Sequence, residues 1–158
     1  MRASGLAGKG ALAAAVLGLI ALAHDAISGA AETLPGPVRA RVLSVIDGDT
    51  LAVQARIWLG QDVDIHVRLT GIDAPELKGR CAEERRAAVE ARETLVRLVG
   101  FGGGVGGEVI LSDIRYDKYG GRVLARVAAP DGTDLAQALV ARHLARPYDG
   151  RSRAGWCG

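Results

Sequence analysis

The chain has 158 residues, enough for one domain with an ordinary hydrophobic core, and nothing in its patterning calls for a second domain. Its 20 Lys and Arg residues nearly balance its 18 Asp and Glu residues. This balance excludes the broad positive field by which basic proteins hold nucleic acid, so affinity for a phosphate must come from local arginines or a bound cation. Zinc is disfavoured as that cation, because the 3 His and 2 Cys residues have no spacing typical of a zinc site.

The N-terminus has the pattern of an export signal. Two basic residues precede an apolar run over residues 11–23, and small residues follow this run. The pattern predicts a signal peptide over residues 1–30, cleaved near Ala30 or Ala23, and therefore export to the periplasm or secretion. The apolar run is shorter than the roughly 20 residues of a membrane-spanning helix, so an uncleaved membrane anchor is the less favoured alternative.

A linker over residues 31–37, which contains Pro and Gly, precedes the predicted domain, residues 38–158. In this domain, segments rich in β-branched residues predict strands, and an Asp-Gly pair between the first two predicts a hairpin. Polar and apolar residues alternate in the third segment, which places Arg68 on the face opposite the core. The predicted strands are residues 38–46, 50–57, 63–72, 108–114 and 122–128.

Two segments change to a helical period. Apolar residues form one stripe over residues 82–100, and a second helix is predicted from Asp134 to about His143, after a turn and N-cap at residues 131–133. Five short strands with a helix between the third and the fourth predict an α+β fold. The expected architecture is a small five-stranded Greek-key β-barrel of the OB-fold type, with a C-terminal helix.

Three polar stretches are each typical of a turn when they are considered alone. Together they place three carboxylates and two arginines at strand ends or on the non-core face of one small barrel. Carboxylates beside arginines can bind a hard cation and a phosphate together, which predicts hydrolysis of a phosphodiester. The stretches are residues 47–48, 73–75 and 117–120, and the charged residues are Asp49, Asp73, Glu76, Arg68 and Arg122.

On these motifs the chain resembles the staphylococcal nuclease (thermonuclease) family over about residues 38–148. The resemblance lies in VIDGDT at 45–50, VRLTGIDAPE at 67–76, DKYGGRVLA at 117–125 and LAQALVARHLARPY at 135–148. It implies a Ca²⁺-dependent nuclease of low sequence selectivity. Such an enzyme would cleave DNA and RNA and leave 3′-phosphates.

The resemblance also implies a ligand set for the cation. Asp49 and Asp73 would bind Ca²⁺, together with the main-chain carbonyl of Ala74. The chemistry of these residues agrees with this implication, because carboxylate and carbonyl oxygens are the donors that a hard cation prefers.

Catalytic and substrate-binding roles follow from the same resemblance. Glu76 would accept a proton from the attacking water, while Arg68 and Arg122 would hold the phosphate, where two guanidiniums neutralise the charge that builds up during the reaction. Tyr119 and Tyr148 would bind the base or ribose of the substrate, because aromatic faces stack on any base. Ordinary packing is an open alternative for both tyrosines. The implied substrate-binding residues are Tyr119, Tyr148 and Lys118.

The chain departs from the family pattern at several positions. Ala74 replaces the threonine of the best-known member, which leaves the implied carbonyl ligand unchanged. Gly121 is an additional residue before Arg122, and it lengthens the loop that presents this arginine. His143 stands where a helix-ending glycine is expected, so it must adopt a left-handed conformation or the helix must end differently. On the resemblance, the third helix of the family is expected to be missing or much reduced.

The two cysteines are predicted to form a disulfide, Cys81–Cys157. Both lie outside the predicted strands, and the export signal places them in an oxidising compartment. Such a bridge would tie the C-terminal tail to the start of the first helix. Two unpaired thiols are the alternative.

The principal alternative function is a non-catalytic OB-fold module that binds nucleic acid or a protein partner. Such modules can lose their metal carboxylates and arginines, whereas this chain retains the full charged set. A carbohydrate hydrolase with two carboxylates would leave both arginines without a role. The expected partners are therefore DNA and RNA substrates, with no stable protein partner and a monomeric chain.

Overall fold

Eight strands and two helices are assigned in the computed structural model, which describes residues 32–100, 106–118 and 120–158. The predicted signal peptide lies outside these residues. In chain order the elements are β1 (Thr33–Leu34), β2 (Val38–Val45), β3 (Thr50–Trp58), β4 (Gln61–Leu69), β5 (Ile72–Asp73), α1 (Ala82–Leu98), β6 (Glu108–Tyr116), β7 (Arg122–Ala128), α2 (Leu135–Val140) and β8 (Arg146–Pro147).

Five of these strands close into a barrel. Strands β6, β2, β3 and β4 are antiparallel neighbours, β4 pairs in parallel with β7, and β7 pairs with β6 to close the sheet. Helix α1 is inserted between the third and fourth barrel strands, and α2 follows the last one. The predicted α+β fold, a five-stranded OB-type barrel with an inserted and a C-terminal helix, is confirmed.

The barrel interior and the inner faces of both helices form one hydrophobic core. Alternate residues of the strands, such as Leu51 and Val53, are fully buried, as the period of two requires. Helix α1 contributes Leu95 and α2 contributes Leu139, both with no exposed surface. No helix in the described part of the chain is long and apolar enough to cross a membrane.

The third predicted strand is interrupted, and this interruption shapes the site. Strand β4 ends at Leu69, because residues 70–71 form a turn in which Gly71 has a φ of 84°. The chain then resumes as β5, which pairs with β8 near the C-terminus. The two-residue strands β5 and β8 were not predicted, and they bring the turn after β4 beside the tail.

Two smaller differences concern the ends of predicted elements. Thr33 and Leu34, in the expected linker, pair with Arg115 and Ile114 of β6. Helix α2 ends at Val140, earlier than expected, and His143 adopts the left-handed conformation with a φ of 59°.

Candidate active site

The first site residues lie in the tight turn between β2 and β3. The Asp47 carboxylate accepts a hydrogen bond from the Asp49 amide at 3.1 Å, so Asp47 stabilises the turn, as predicted. Gly48 allows the turn to approach α1 closely, because a Cβ there would lie 2.8 Å from Cβ of Ala91 and 2.9 Å from Cβ of Ala74. The Asp49 side chain is consequently buried within the molecule, and the residue is only 3% exposed.

Asp49 forms a buried, two-pronged ion pair with Arg68 of β4. Arg68 Nη1 lies 2.8 Å from Oδ1 of Asp49, and Nη2 lies 2.8 Å from Oδ2. The Thr50 hydroxyl donates to Oδ1 at 2.9 Å, and the Ala74 amide donates to Oδ2 at 3.3 Å. Arg68 lies on the face opposite the core, as the alternation predicts, but it is buried because the carboxylates cover it.

Burial dominates the electrostatics of Asp49. It raises the pKa of this carboxyl from 3.8 to about 7, and the charge of Asp47 adds to the rise. The Arg68 guanidinium and the Thr50 hydroxyl oppose the shift. A further positive charge at this carboxyl would act in the same direction as Arg68 and favour the ionised form.

Asp73 and Glu76 belong to the segment that follows β5. Asp73 is buried, and its Oδ1 lies 3.5 Å from Nη2 of Arg68, so one guanidinium nitrogen faces both Asp49 and Asp73. The Glu76 side chain is half exposed. Asp49 and Asp73 therefore converge from two different turns onto Arg68, whereas Glu76 lines the same cavity as Arg68.

A buried carboxylate on α1 supports the turn that carries Glu76. Oε1 of Glu84 lies 3.5 Å from the Glu76 amide, and Oε2 accepts a hydrogen bond from the Arg80 amide at 3.0 Å. Gly79 leaves room for this carboxylate, since a Cβ there would lie 2.4 Å from the Glu84 side chain and would displace it. Glu84 was not predicted from the sequence, because acidic residues are common in the first turn of a helix and this position carries no distinguishing signal.

Arg122 reaches the same site from the start of β7. Its Nε forms an ion pair with the largely buried carboxylate of Asp117. Gly121 accommodates the longer loop with a φ of 84°, and Arg122 still begins the strand. Arg122 lines a cavity of about 810 Å³ together with Arg68 and Glu76, so the cavity unites the three predicted catalytic residues.

The predicted substrate-binding residues have different outcomes. Lys118 and Tyr148 line the same cavity as Arg68. The Tyr148 amide donates to the Gly71 carbonyl at 2.9 Å, which fixes this residue at the turn after β4. Tyr119 lies outside the described residues.

The C-terminal tail places a further arginine, Arg153, in the site, and no sequence pattern predicted it. Arg153 Nη1 lies 2.7 Å from Oε1 of Glu76, and Nε lies 3.0 Å from Oδ1 of Asp73. Burial disfavours the charge of Arg153, but the hydrogen bond to Glu76 and the charge of Asp73 raise the pKa of this guanidinium above its ordinary value. Trp156 also contacts Asp73, with Nε1 3.3 Å from Oδ2. The tail has no hydrophobic period that would have indicated these contacts.

The structure contains the disulfide between Cys81 and Cys157, with the two Cα atoms 5.9 Å apart. Cys81 is also the N-cap of α1, and its sulfur lies 3.5 Å from the Glu84 amide. The bridge ties the tail to the segment just beyond Glu76, in the way the position of the cysteines predicts.

The predicted cation ligands fit a hard cation in kind. Asp49, Asp73 and the Ala74 carbonyl all offer oxygen atoms, and the two carboxylates both contact Nη2 of Arg68. Within the described residues, the group of three potential metal-binding side chains within 4.8 Å of one another consists of Cys81, Glu84 and Cys157. Both cysteines of that group are in the disulfide, and it is not a calcium site.

Comparisons with known proteins agree with this geometry. A family model described as "Staphylococcal nuclease homologue" matches residues 66–154. The chain is 31% identical over 112 residues to an "Uncharacterized endonuclease" of Escherichia coli and, to the same extent, to one of Escherichia coli O157:H7. Each alignment covers 71% of this chain and 62% of the relative, so the chain spans less than two thirds of these relatives' length. On the extent of the family match, the chain belongs to the staphylococcal nuclease homologue family.

Proposed function

We propose that this protein is a Ca²⁺-dependent nuclease that hydrolyses phosphodiester bonds in DNA and RNA with low sequence selectivity and leaves 3′-phosphates. The observation that carries the proposal is the convergence of Asp49, Asp73 and Glu76 with Arg68 and Arg122. The two arginines and Glu76 line one cavity, and Arg68 joins the two buried carboxylates to it. Family membership and the endonuclease relatives support the same reaction class.

The arginines supply the recognition of phosphate. A phosphodiester gains negative charge on its non-bridging oxygens as water attacks, and guanidiniums placed there stabilise that charge more than they stabilise the substrate. Arg68 is held rigidly by its pair with Asp49, and Arg122 by its pair with Asp117. Their positions are thus set before the substrate arrives, which lowers the cost of reorganisation during the reaction.

Glu76 is the group that takes the proton from the attacking water. Its side chain is half exposed to the cavity, and the turn that carries it is supported by Glu84. A carboxylate so placed can accept a proton from a water molecule within hydrogen-bond reach. Asp49 and Asp73 are buried and engaged with Arg68, so they are less suited to this role.

Asp49, Asp73 and the Ala74 carbonyl would hold the Ca²⁺ ion. When bound, the ion would supply positive charge to the phosphate and the attacking water. Both carboxylates are buried, and one oxygen of each contacts Nη2 of Arg68.

Low selectivity follows from the kinds of contact that the cavity offers. The charged side chains that line the cavity bind the phosphate, which every nucleotide shares, and the ring of Tyr148 can stack on any base. We also propose that the protein is exported, a location supported by the Cys81–Cys157 disulfide, since such bridges persist in oxidising compartments.

The test is cleavage of single-stranded DNA and RNA by the purified domain, with Ca²⁺ and with a chelator. We expect cleavage in Ca²⁺, none in chelator, and at least a hundredfold slower cleavage by the Glu76→Gln variant. Binding of DNA without cleavage in Ca²⁺ would contradict the proposal and would indicate a non-catalytic binding module.

A further inference from the structure

The C-terminal tail, residues 149–158, carries Arg153 to the centre of the site from a position 77 residues beyond Glu76. Its guanidinium bridges Oε1 of Glu76 at 2.7 Å and Oδ1 of Asp73 at 3.0 Å. Arg153 and Glu76 both line the 810 Å³ cavity and a neighbouring cavity of about 470 Å³, so their contact lies where the two cavities meet.

The tail is anchored on both sides of Arg153. Before it, the Tyr148 hydroxyl donates to the Arg151 carbonyl at 2.9 Å. After it, Arg146 donates to the Gly155 carbonyl at 2.9 Å, and its guanidinium carbon lies 3.9 Å from the centre of the Trp156 ring. The Cys81–Cys157 disulfide then fixes the tail covalently to the start of α1.

These anchors give Arg153 a defined position, and through it they restrict Glu76. A half-exposed glutamate without a partner samples several rotamers, and ordering it during the reaction costs conformational entropy. Arg153 binds one oxygen of this carboxylate, and among the described residues no hydrogen-bond donor to Oε2 is found. The second oxygen can therefore meet water while the first keeps the side chain in place.

We propose that Arg153 is a positioning residue of the active site, held by the disulfide-bonded tail, which fixes the Glu76 carboxylate for its role as general base. The inference rests on the proposed nuclease function. It also predicts an effect on the cation, because Arg153 contacts Asp73 and its positive charge competes with a cation bound there.

The test compares Arg153→Ala, Arg153→Lys and the matched control Arg151→Ala. Arg151 lies in the same tail, its side chain is 87% exposed, and it pairs with Asp149. We expect Arg153→Ala to lower kcat about tenfold to a hundredfold, with a much smaller change in KM, because a misplaced base slows the chemical step. Arg153→Lys should recover part of this loss, and Arg151→Ala should stay within about twofold of the wild type.

Two further measurements separate positioning from a purely structural role. In a Glu76→Gln background, Arg153→Ala should cause little additional loss, since residues that act as a unit are not additive. By calorimetry without substrate, Ca²⁺ should bind Arg153→Ala about threefold to tenfold more tightly than the wild type, as removal of a competing charge predicts.

Opposite shifts in kcat and Ca²⁺ affinity are therefore the expected signature. A rise in kcat would overturn the proposal and identify Arg153 as an inhibitory contact. Loss of both kcat and Ca²⁺ affinity would overturn it by indicating structural damage, and an additive loss in the Glu76→Gln background would show that Arg153 does not act through Glu76. If the wild type itself cleaves no DNA, the proposed function fails, whereas active wild type with an unchanged Arg153→Ala variant refutes this inference alone.

Discussion

At the residue scale, the proposed catalytic roles of Glu76 and Arg122 can be tested separately from folding, because neither side chain belongs to the hydrophobic core. We expect Glu76→Gln and Arg122→Ala each to lose at least about a hundredfold in turnover, since an interaction made to the transition state contributes roughly 3–4 kcal/mol. Arg126→Ala is the matched control, because Arg126 lies on the same strand and pairs with Asp134. Near-normal turnover of either site variant, with an unchanged melting curve, would remove that residue from catalysis.

The buried carboxyl of Asp49 gives a pH dependence with a defined sign. Its pKa is about 7 in the folded chain, against 3.8 as the ordinary value, so the native state binds the proton more tightly than the unfolded state. The contribution of the Asp49 carboxyl to the free energy of unfolding is therefore fully present below pH 3.8, and it is lost as the pH rises through about 7. In chelator, the free energy of unfolding should fall by about 2 kcal/mol between pH 5.5 and 8.

Asp49→Asn is the control for this measurement, because asparagine has a similar shape and no titrating proton. The charged groups that act on Asp49, namely Arg68, Asp47 and Arg153, are unchanged in the variant. Denaturant unfolding at each pH should show the fall in the wild type and a flatter profile in the variant. Equal slopes for the two proteins would assign the pH dependence to other groups.

His143 illustrates a local conflict that the sequence reveals. A residue other than glycine at a φ of 59° is strained by about 1 kcal/mol. His143→Gly should therefore raise the free energy of unfolding by about 1 kcal/mol, while His143→Ala, which retains the Cβ, should not. Chemical denaturation measures both, and equal stability of the two variants would contradict the explanation.

At the scale of elements, the disulfide is the covalent link between the tail and the start of α1. It closes a loop with a sequence separation of 76, and the typical stabilisation from such a bridge is about 2–4 kcal/mol. Cys157→Ser should lose this amount, and Cys81 can still cap α1 in that variant. In reductant, the wild type should have the same free energy of unfolding as the variant. A difference in this free energy below about 0.5 kcal/mol between the oxidised wild type and the variant would show that the bridge contributes little to stability.

Periodicity explains why most elements could be predicted. The alternation around Arg68 and the apolar stripe of α1 are local signals. The strand around Arg68 forms but ends at Leu69, and α1 begins at Ala82 as expected. Strands β5 and β8 have two residues each, so they carry no period, and their pairing depends on the turn at Gly71. The same turn ends β4 at Leu69. The predicted strand extended to Ile72, because an apolar residue at this position is typical of a continuing strand.

At the scale of the whole molecule, the site combines segments that are far apart in sequence. The motifs around Asp49, Asp73 and Arg122 could be identified because each is a dense local cluster of charged and turn residues. Arg153 could not, because its place depends on the disulfide and on contacts of Trp156 rather than on any nearby pattern. Glu84 could not be predicted for a related reason. Its partners are backbone amides of a turn, and no sequence pattern predicts the conformation of that turn.

The most direct test of the nuclease account is the rate of single-stranded DNA cleavage as a function of Ca²⁺ concentration, for the wild type and Asp49→Ala. We expect a saturable rise in the wild type, with half-maximal rate near the calorimetric Kd for Ca²⁺, and no cleavage by Asp49→Ala at concentrations that saturate the wild type. A wild-type rate that is independent of Ca²⁺, or an Asp49→Ala variant with the same Ca²⁺ dependence, would contradict it.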